Sequence, residues 1–269
     1  MRHTVIRILK YFRFKIIRLE VSVQDALSTF MKLRPHEIQE GLLRIGGMND
    51  GSYLIPNNLI DFDFLISPGV GEVTEFELFF ANKGIPCLLI DGTIEKPPNE
   101  HENFTFIKKN LDIVSTAKTI TIEDAVKLHK NRSKNLILQM DIEGNEYKIL
   151  LDTSKEILDQ FKLIVLELHN LDLIEYGFFD EIFNVFLSKI LVSHKIIHFH
   201  ANNGGTTFNI GRFQLPTTVE ITLVRNDYVN FTGRFASVPN KLDSPNISGR
   251  KPIVIDFGKI EAYLITAAN

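Results

Sequence analysis

The sequence predicts an α/β fold: a doubly wound, mostly parallel sheet of seven strands in one domain, with a basic N-terminal helix and a C-terminal tail. Three observations predict it. From residue 60 onward, short apolar runs alternate with amphipathic stretches of helical period. The run Leu163–Glu167 is almost continuously apolar, as a parallel strand buried on both faces must be. The first run also ends in Ser67-Pro68-Gly69-Val70-Gly71 directly ahead of a helix, the strand–turn–helix unit of a nucleotide-cofactor half-domain.

The elements follow in order. Phe62–Ser67 reads as the first strand, and Thr74 to Asn82 as a helix opened by a capping box between Thr74 and Glu77. Ile85–Asp91 is the second strand and Asn103–Ile107 the third. Thr121–His129 is helical, opened by Thr121 and Asp124. Asn135–Asp141 is the fourth strand, with a short helix, Asn145–Leu151, behind it. Leu163–Glu167 is the fifth, Phe178–Ile190 an amphipathic helix, His194–His200 the sixth and Val219–Val224 the seventh. Beyond Arg225, Pro239, Pro245, Gly249 and Pro252 break any period, so the chain reads as a wrapping tail with Pro252–Asp256 as an edge strand. The segments are 1–40 (basic, helical), 41–230 (the domain) and 231–269 (the tail).

Composition narrows the function. A net charge of −3 over 269 residues gives no support to nucleic-acid binding. The single cysteine, Cys87, excludes an internal disulfide or a cysteine-built zinc site, and lies in an apolar run as a buried structural thiol would. A reducing, cytoplasmic setting fits. No apolar run reaches the roughly 18–20 residues that span a bilayer. Arg2, Arg7, Lys10, Arg13, Lys15 and Arg18 interrupt the apolar residues of the N-terminus, which excludes a signal peptide. That segment reads first as a docking helix of the fold, and second as a basic amphipathic helix with peripheral contact at the inner membrane face.

The chemistry-bearing residues collect at strand ends, where open α/β sheets bind ligands. Asp91 and Gly92 close the second strand, twenty residues after Gly71, where a carboxylate grips ribose hydroxyls. A dinucleotide fingerprint wants a third glycine three residues after Gly71, and that residue is Thr74. Glu72 and Glu75 would oppose a pyrophosphate but suit a cationic sulfonium. S-adenosylmethionine (AdoMet) is therefore the expected cofactor. After the fourth strand come Asp141, Glu143 and Glu146, which as acids in a first helical turn could equally be capping it. Glu167 and His169 follow the fifth strand, and His198, His200, Asn202 and Asn203 the sixth. Residues two apart on a strand share a face, and His, Asp and Glu together supply a base or the ligands of a divalent metal, Mg²⁺ or Mn²⁺. Upstream, Arg44 to Tyr53 carries Gly46, Gly47, Asp50 and Gly51, and by its residues is a hairpin turn.

Together these stretches resemble the FkbM-type AdoMet-dependent methyltransferases, especially members of surface-sugar biosynthesis. The resemblance lies in RIGGMNDGSYLIP (44–56), SPGVGEVTEFELFFANKG (67–84), LQMDIEGNEYKIL (138–150), IVLELH (164–169), HFHANN (198–203), LPTTVEITLVRND (215–227) and LDSPNISGRKP (242–252). It implies a Rossmann-like class I fold and O-methylation of a sugar hydroxyl in capsule or lipopolysaccharide biosynthesis. It also implies cofactor contacts from Arg44, Gly46, Asp50, Gly51, Ser67, Gly69, Val70, Gly71, Glu75, Asp91, Gly92 and Asp141. The acceptor would meet Glu143, His198, Asn202 and Asn203, with His169 or His200 as base and Asp141 or Glu167 orienting it. Ser52 departs from the family's usual glycine and is tolerated unless that residue needs positive φ. The acceptor would be a small molecule or glycan, and a homo-oligomer is compatible. The competing readings are a nicotinamide-dependent nucleotide-sugar oxidoreductase or epimerase, and a non-catalytic membrane-associated scaffold.

Overall fold

The computed structural model describes residues 21–58, 61–129 and 134–267. The basic helix expected over residues 1–20 lies outside them. The central sheet comprises β1 (Phe64–Pro68), β2 (Cys87–Ile90), β3 (Phe104–Ile107), β4 (Leu136–Met140), β5 (Phe161–Leu168), β6 (His194–Ala201) and β7 (Val219–Arg225). Its order is β6-β7-β5-β4-β1-β2-β3, with β7 antiparallel to both its neighbours and the other ladders parallel. Order reverses between β1 and β4, and that switch point places the site. The seven-stranded doubly wound sheet expected from the alternation is thus the architecture observed. Side chains of β4 and β5 are almost completely buried because both faces of the sheet are covered, one by helices and the other by a helix together with an antiparallel hairpin.

The helices are α1 (Val23–Met31), α2 (Glu75–Ala81), α3 (Ile122–Lys127), α4 (Glu146–Asp152), α5 (Lys155–Leu158), α6 (Gly177–Ile190) and α7 (Phe257–Ala267). α6 turns Phe183, Phe186, Leu187 and Ile190 into the core, one apolar stripe at helical spacing. Thr121 caps α3 as expected, accepting from the Asp124 amide at 3.1 Å. The capping box expected at Thr74 does not form. Thr74 makes no cap bond; its hydroxyl accepts from Asn99 Nδ2 at 2.8 Å, and Glu77 turns inward to Ser67.

The tail differs from expectation in two ways. Pro252–Asp256 joins no ladder, and the chain runs irregularly to a helix, α7, that the aperiodic stretch before it concealed. The Asp256 carboxylate accepts from the Lys259 amide at 3.0 Å and starts that helix. Ile255, Phe257 and Ile260 are buried, with the Phe257 ring 5.8 Å from Phe30 and 5.1 Å from Phe199. α1, within the segment assigned to the N-terminus, contributes Leu27 and Phe30 to the same core. Phe257→Ala should therefore cost about 3–5 kcal/mol, as for other buried aromatics; a denaturant midpoint unchanged from wild type would show that α7 is only draped on the surface.

Candidate active site

Two strand tips meet at the switch point. The Asp141 amide donates to Pro68 O at 3.3 Å, and the Gly69 amide to Ile90 O at 2.9 Å. Above them is a cleft of about 120 Å³, lined by Asp50, Gly51 and Tyr53, by Gly69 to Val73, and by Phe76, Glu77, Gln139 and Asp141. The upstream segment is an antiparallel hairpin (Leu42–Ile45 with Tyr53–Pro56) whose loop reaches the glycine turn. The hairpin expected from these residues is thus the element observed, and its loop lies beside the glycine turn. Ser52 is not among the residues with positive φ, whereas Gly51 is, at 74°. The serine hydroxyl accepts from Arg44 and donates to Asn49 O at 2.6 Å.

Asp91 follows β2 and sits beside the turn. Its carboxylate accepts from the Gly71 amide at 3.0 Å and from the Thr93 amide at 2.7 Å. Burial pushes this carboxyl up, but the Thr93 hydroxyl and the amides of Gly71, Thr93 and Ile94 together hold it below the usual range. A charged acid is thereby fixed one bond from the turn.

The second group is acidic and surrounds His169. Its Nε2 lies 3.4 Å from Glu167, 3.5 Å from Glu143 and 3.8 Å from Asp141 Oδ1, while Nδ1 lies 3.4 Å from Glu146. Glu146, fully buried, accepts from the amides of Ile142 at 2.9 Å and Gly144 at 3.2 Å, folding the loop after β4 around itself. Tyr147 donates to His169 O at 2.6 Å and fixes that backbone. Glu143 stands in the left-handed region (φ 57°), and its side chain is exposed although its carboxylate lies 3.5 Å from His169. Burial alone would lower the His169 pKa, but Glu146 and Glu167 outweigh it and raise it to about 10. Asp141 is pushed up, first by burial and then by Glu167, with His169 opposing; its buried Oδ1 accepts no hydrogen bond. In register with Glu167 on β7 is Glu220, likewise pushed up by burial.

One ligand atom each from Asp141, Glu167 and His169 lies within 4.8 Å of the others, as do atoms of Asp50, Glu167 and Glu220. Oxygen-rich sets of this kind fit a hard divalent cation.

His198 and His200 share a face, their rings 6.4 Å apart, but they face the tail. His198 Nε2 lies 2.8 Å from Asp243, and His200 lies 3.6 Å from Asp243 and 3.1 Å from Asn246 Oδ1. The two histidines hold Asp243 far below the usual carboxylate range, against burial. Asn246 in turn donates to Asp50 at 3.0 Å and to Glu220, which ties the tail to the hairpin loop and to β7. Asn203 accepts from the Ile247 amide at 2.8 Å and donates to the carbonyls of Ile247 and Arg250. Arg44 donates to Gly47 O and Leu242 O, both at 3.1 Å.

The structure therefore brings Asp50, Gly51, Gly69, Val70, Gly71, Asp141, Glu167, His169 and, through its 3.0 Å bond to Glu167, Asn202 into one region. It gives His198, His200, Asn203 and Arg44 to anchoring the tail: Asp243 and Asn246 occupy the two histidines, the backbone of Ile247 and Arg250 occupies Asn203, and Arg44, expected at the cofactor, donates to Leu242 O. Gly92 packs beside Asn110, and Glu75 is exposed. Glu77, two residues on and buried, is the acid that lines the cleft. Sequence reasoning missed Glu77, Gln139, Tyr53 and Glu220. A lone glutamate in the apolar run Val219–Val224, or a lone glutamine in Leu136–Met140, is a signal that could have found two of them.

Residues 68–190 match a family model described as the methyltransferase FkbM domain. No curated protein matches the sequence. Among solved structures, the chain is similar to a Methanococcus jannaschii fibrillarin pre-rRNA processing protein (13% identity, 69% of this chain and 71% of that one, TM-score 0.38). It is also similar to a fibrillarin/Nop5p complex (13%, 61% and 73%, 0.38). A third similarity is to a 16S rRNA (adenine(1408)-N(1))-methyltransferase from Catenulisporales acidiphilia (10%, 68% and 97%, 0.30). Likeness at these scores adds nothing to the strand order itself. The family match does, since it spans the glycine turn, Asp91, the Asp141–Glu146 loop and His169: over residues 68–190 the chain is similar to the methyltransferase FkbM domain.

Proposed function

We propose that the protein methylates an oxygen, a sugar hydroxyl of a surface-glycan precursor, with Asp141 as the base. The observation that carries this reading is the buried Asp141 Oδ1 at the tip of β4, which accepts no hydrogen bond and has His169 Nε2 3.8 Å away, on the wall of the cofactor cleft. A sugar hydroxyl is a poor nucleophile and needs its proton removed as the new bond forms. AdoMet, when bound, supplies an electrophilic methyl carbon on a sulfonium. The residues of this chain do the rest. Gly69, Val70, Gly71 and Asp91 seat the cofactor, and the Asp50–Gly51 loop closes over it. Asp141 takes the hydroxyl proton while Glu167, Asn202 and Glu143 offer acceptors and a donor to neighbouring hydroxyls. His169, held cationic by its glutamates, orients Asp141 and is not itself the base. Holding acceptor and methyl in line supplies several kcal/mol of the barrier.

The test is incubation with AdoMet and a panel of nucleotide sugars and lipid-linked glycan precursors, read by mass spectrometry. The expected result is a single methyl gain on one oxygen; methyl gain on nitrogen alone would overturn the oxygen assignment. A chelator arm addresses the oxygen-rich donor set at Asp141, Glu167 and His169. Turnover lost to chelator and restored by Mg²⁺ or Mn²⁺ assigns those residues a metal, and indifference removes it. Stabilisation by S-adenosylhomocysteine but not NAD is expected in thermal shift, and the reverse would favour the oxidoreductase.

A further inference from the structure

Glu77 is a buried acid beside the cofactor cleft that the mechanism above does not use. Its Oε1 lies 2.5 Å from Ser67 Oγ. The same hydroxyl lies 2.7 Å from Gln139 Oε1, and Gln139 Nε2 lies 3.2 Å from the Tyr53 hydroxyl. All four side chains are buried, and Glu77, Gln139 and Tyr53 line the cleft. Ser67 has one hydrogen to give and two oxygens facing it. Two arrangements satisfy every group. In the first, Glu77 is neutral and donates to Ser67, Ser67 donates to Gln139, and Gln139 donates to Tyr53, which leaves the tyrosine hydrogen for the cleft. In the second, Glu77 is ionised and every bond reverses with a turn of the Gln139 amide. Tyr53 donates to Gln139 and Gln139 to Ser67, whose hydroxyl then donates to the Glu77 carboxylate. The cleft then meets a negative charge and a tyrosine lone pair.

We infer that Glu77 is a positioning residue for the cofactor: seating the cationic methionine end expels its proton to solvent and reverses the Ser67–Gln139–Tyr53 chain, turning the cleft wall from donor to acceptor. The inference rests on the AdoMet reading. The groups around Glu77 agree with it. They are Glu75 on its own helix, the Cys87 thiol on β2, whose sulfur lies 3.6 Å from Glu77 O, and Asp50, Glu72 and Asp141 around the cleft. None is a cation, so the wall has no other charge to hold a carboxylate ionised before the cofactor arrives. Burial, opposed by the Ser67 bond, places the Glu77 pKa at about 7. The carboxyl is thus poised to change state at neutral pH.

Isothermal titration of AdoMet into the full chain at pH 7, in two buffers of different ionisation enthalpy, reads the proton directly. Wild type should release about half a proton from this group at its midpoint. The amount should fall toward zero at alkaline pH, where Glu77 is already ionised. Glu77→Gln should remove that component while AdoMet still binds, and Asp141→Asn should leave it in place. Ser67→Ala, which deletes the donor to the carboxylate, should move the release midpoint to higher pH. That second variant decides the matter if Glu77→Gln does not fold. Undiminished release in Glu77→Gln, or an unmoved midpoint in Ser67→Ala, would overturn the inference. Absence of any AdoMet binding by wild type would instead sink the cofactor reading beneath it.

Discussion

Asp141→Asn should lower kcat by about 10²–10⁴-fold, the range expected when a general base is removed, with AdoMet affinity changed far less. Asparagine keeps the shape of the side chain and removes only the capacity to take a proton. The effect falls on Oδ1, which accepts no hydrogen bond from the described residues. Wild-type turnover should rise with pH through the raised Asp141 pKa, because only the ionised form accepts. Stability provides the control. Burial raises the folded pKa above the unfolded carboxylate value, so the folded state carries a penalty that grows as pH climbs above the unfolded value. Asparagine relieves that penalty. The variant should therefore match wild type near pH 4 and melt higher near pH 9, while being nearly inactive. His169 acts in the opposite sense. Its folded pKa of about 10 exceeds the unfolded value, so its ion pairs stabilise fully below about pH 6.5 and are lost as pH rises through 10. An Asp141→Asn enzyme with wild-type turnover would move the base to Glu167; one that is inactive because it is unfolded would fail the melting comparison.

That assignment differs from what histidines at strand ends suggest, and the difference shows where sequence stops. The sheet was legible because apolar runs of strand length and helices of 3.6 period are local patterns. The cleft was legible too, since strand ends after Ser67, Ile90 and Met140 must converge at a switch point. Pairings across the tail were not. His198 and His200 share a face as β6 requires, yet Asp243 and Asn246 lie about forty residues downstream in a stretch without period, and nothing local announces that they return. The same holds for Glu77. In sequence it completes a capping box with Thr74; in space the 2.5 Å bond to Ser67 outweighs the cap, because α2 must turn one acid either to solvent or into the cleft wall.

The two glycines of the turn look equivalent in sequence, and Gly69→Ala and Gly71→Ala should separate them. Both hold positive φ, 84° and 57°, so alanine pays roughly 1–2 kcal/mol at either for the left-handed conformation. Only Gly69 adds a collision. A Cβ there would lie 1.6 Å from Asp141 O and 2.7 Å from its carbonyl carbon, both backbone atoms that no rotamer change can move aside. At Gly71 a Cβ meets nothing within 4 Å. Gly69 thus serves first to let the tip of β1 pass the tip of β4, and only through that to shape the cofactor cleft. Relief in Gly69→Ala requires the β4 loop to shift, taking Asp141 out of line with the cleft. The expected loss is about 3 kcal/mol or more, which for a chain of this size is roughly 6–12 °C in Tm. Turnover should fall at least as far as in Asp141→Asn, since misplacement by an ångström is itself worth about 100-fold. Gly71→Ala should lose only about 1–2 kcal/mol and keep measurable activity, with its defect in AdoMet affinity, where the turn faces the cleft. Equal losses in the two variants would mean that the turn is constrained by the bound cofactor and not by the crossing of the strands.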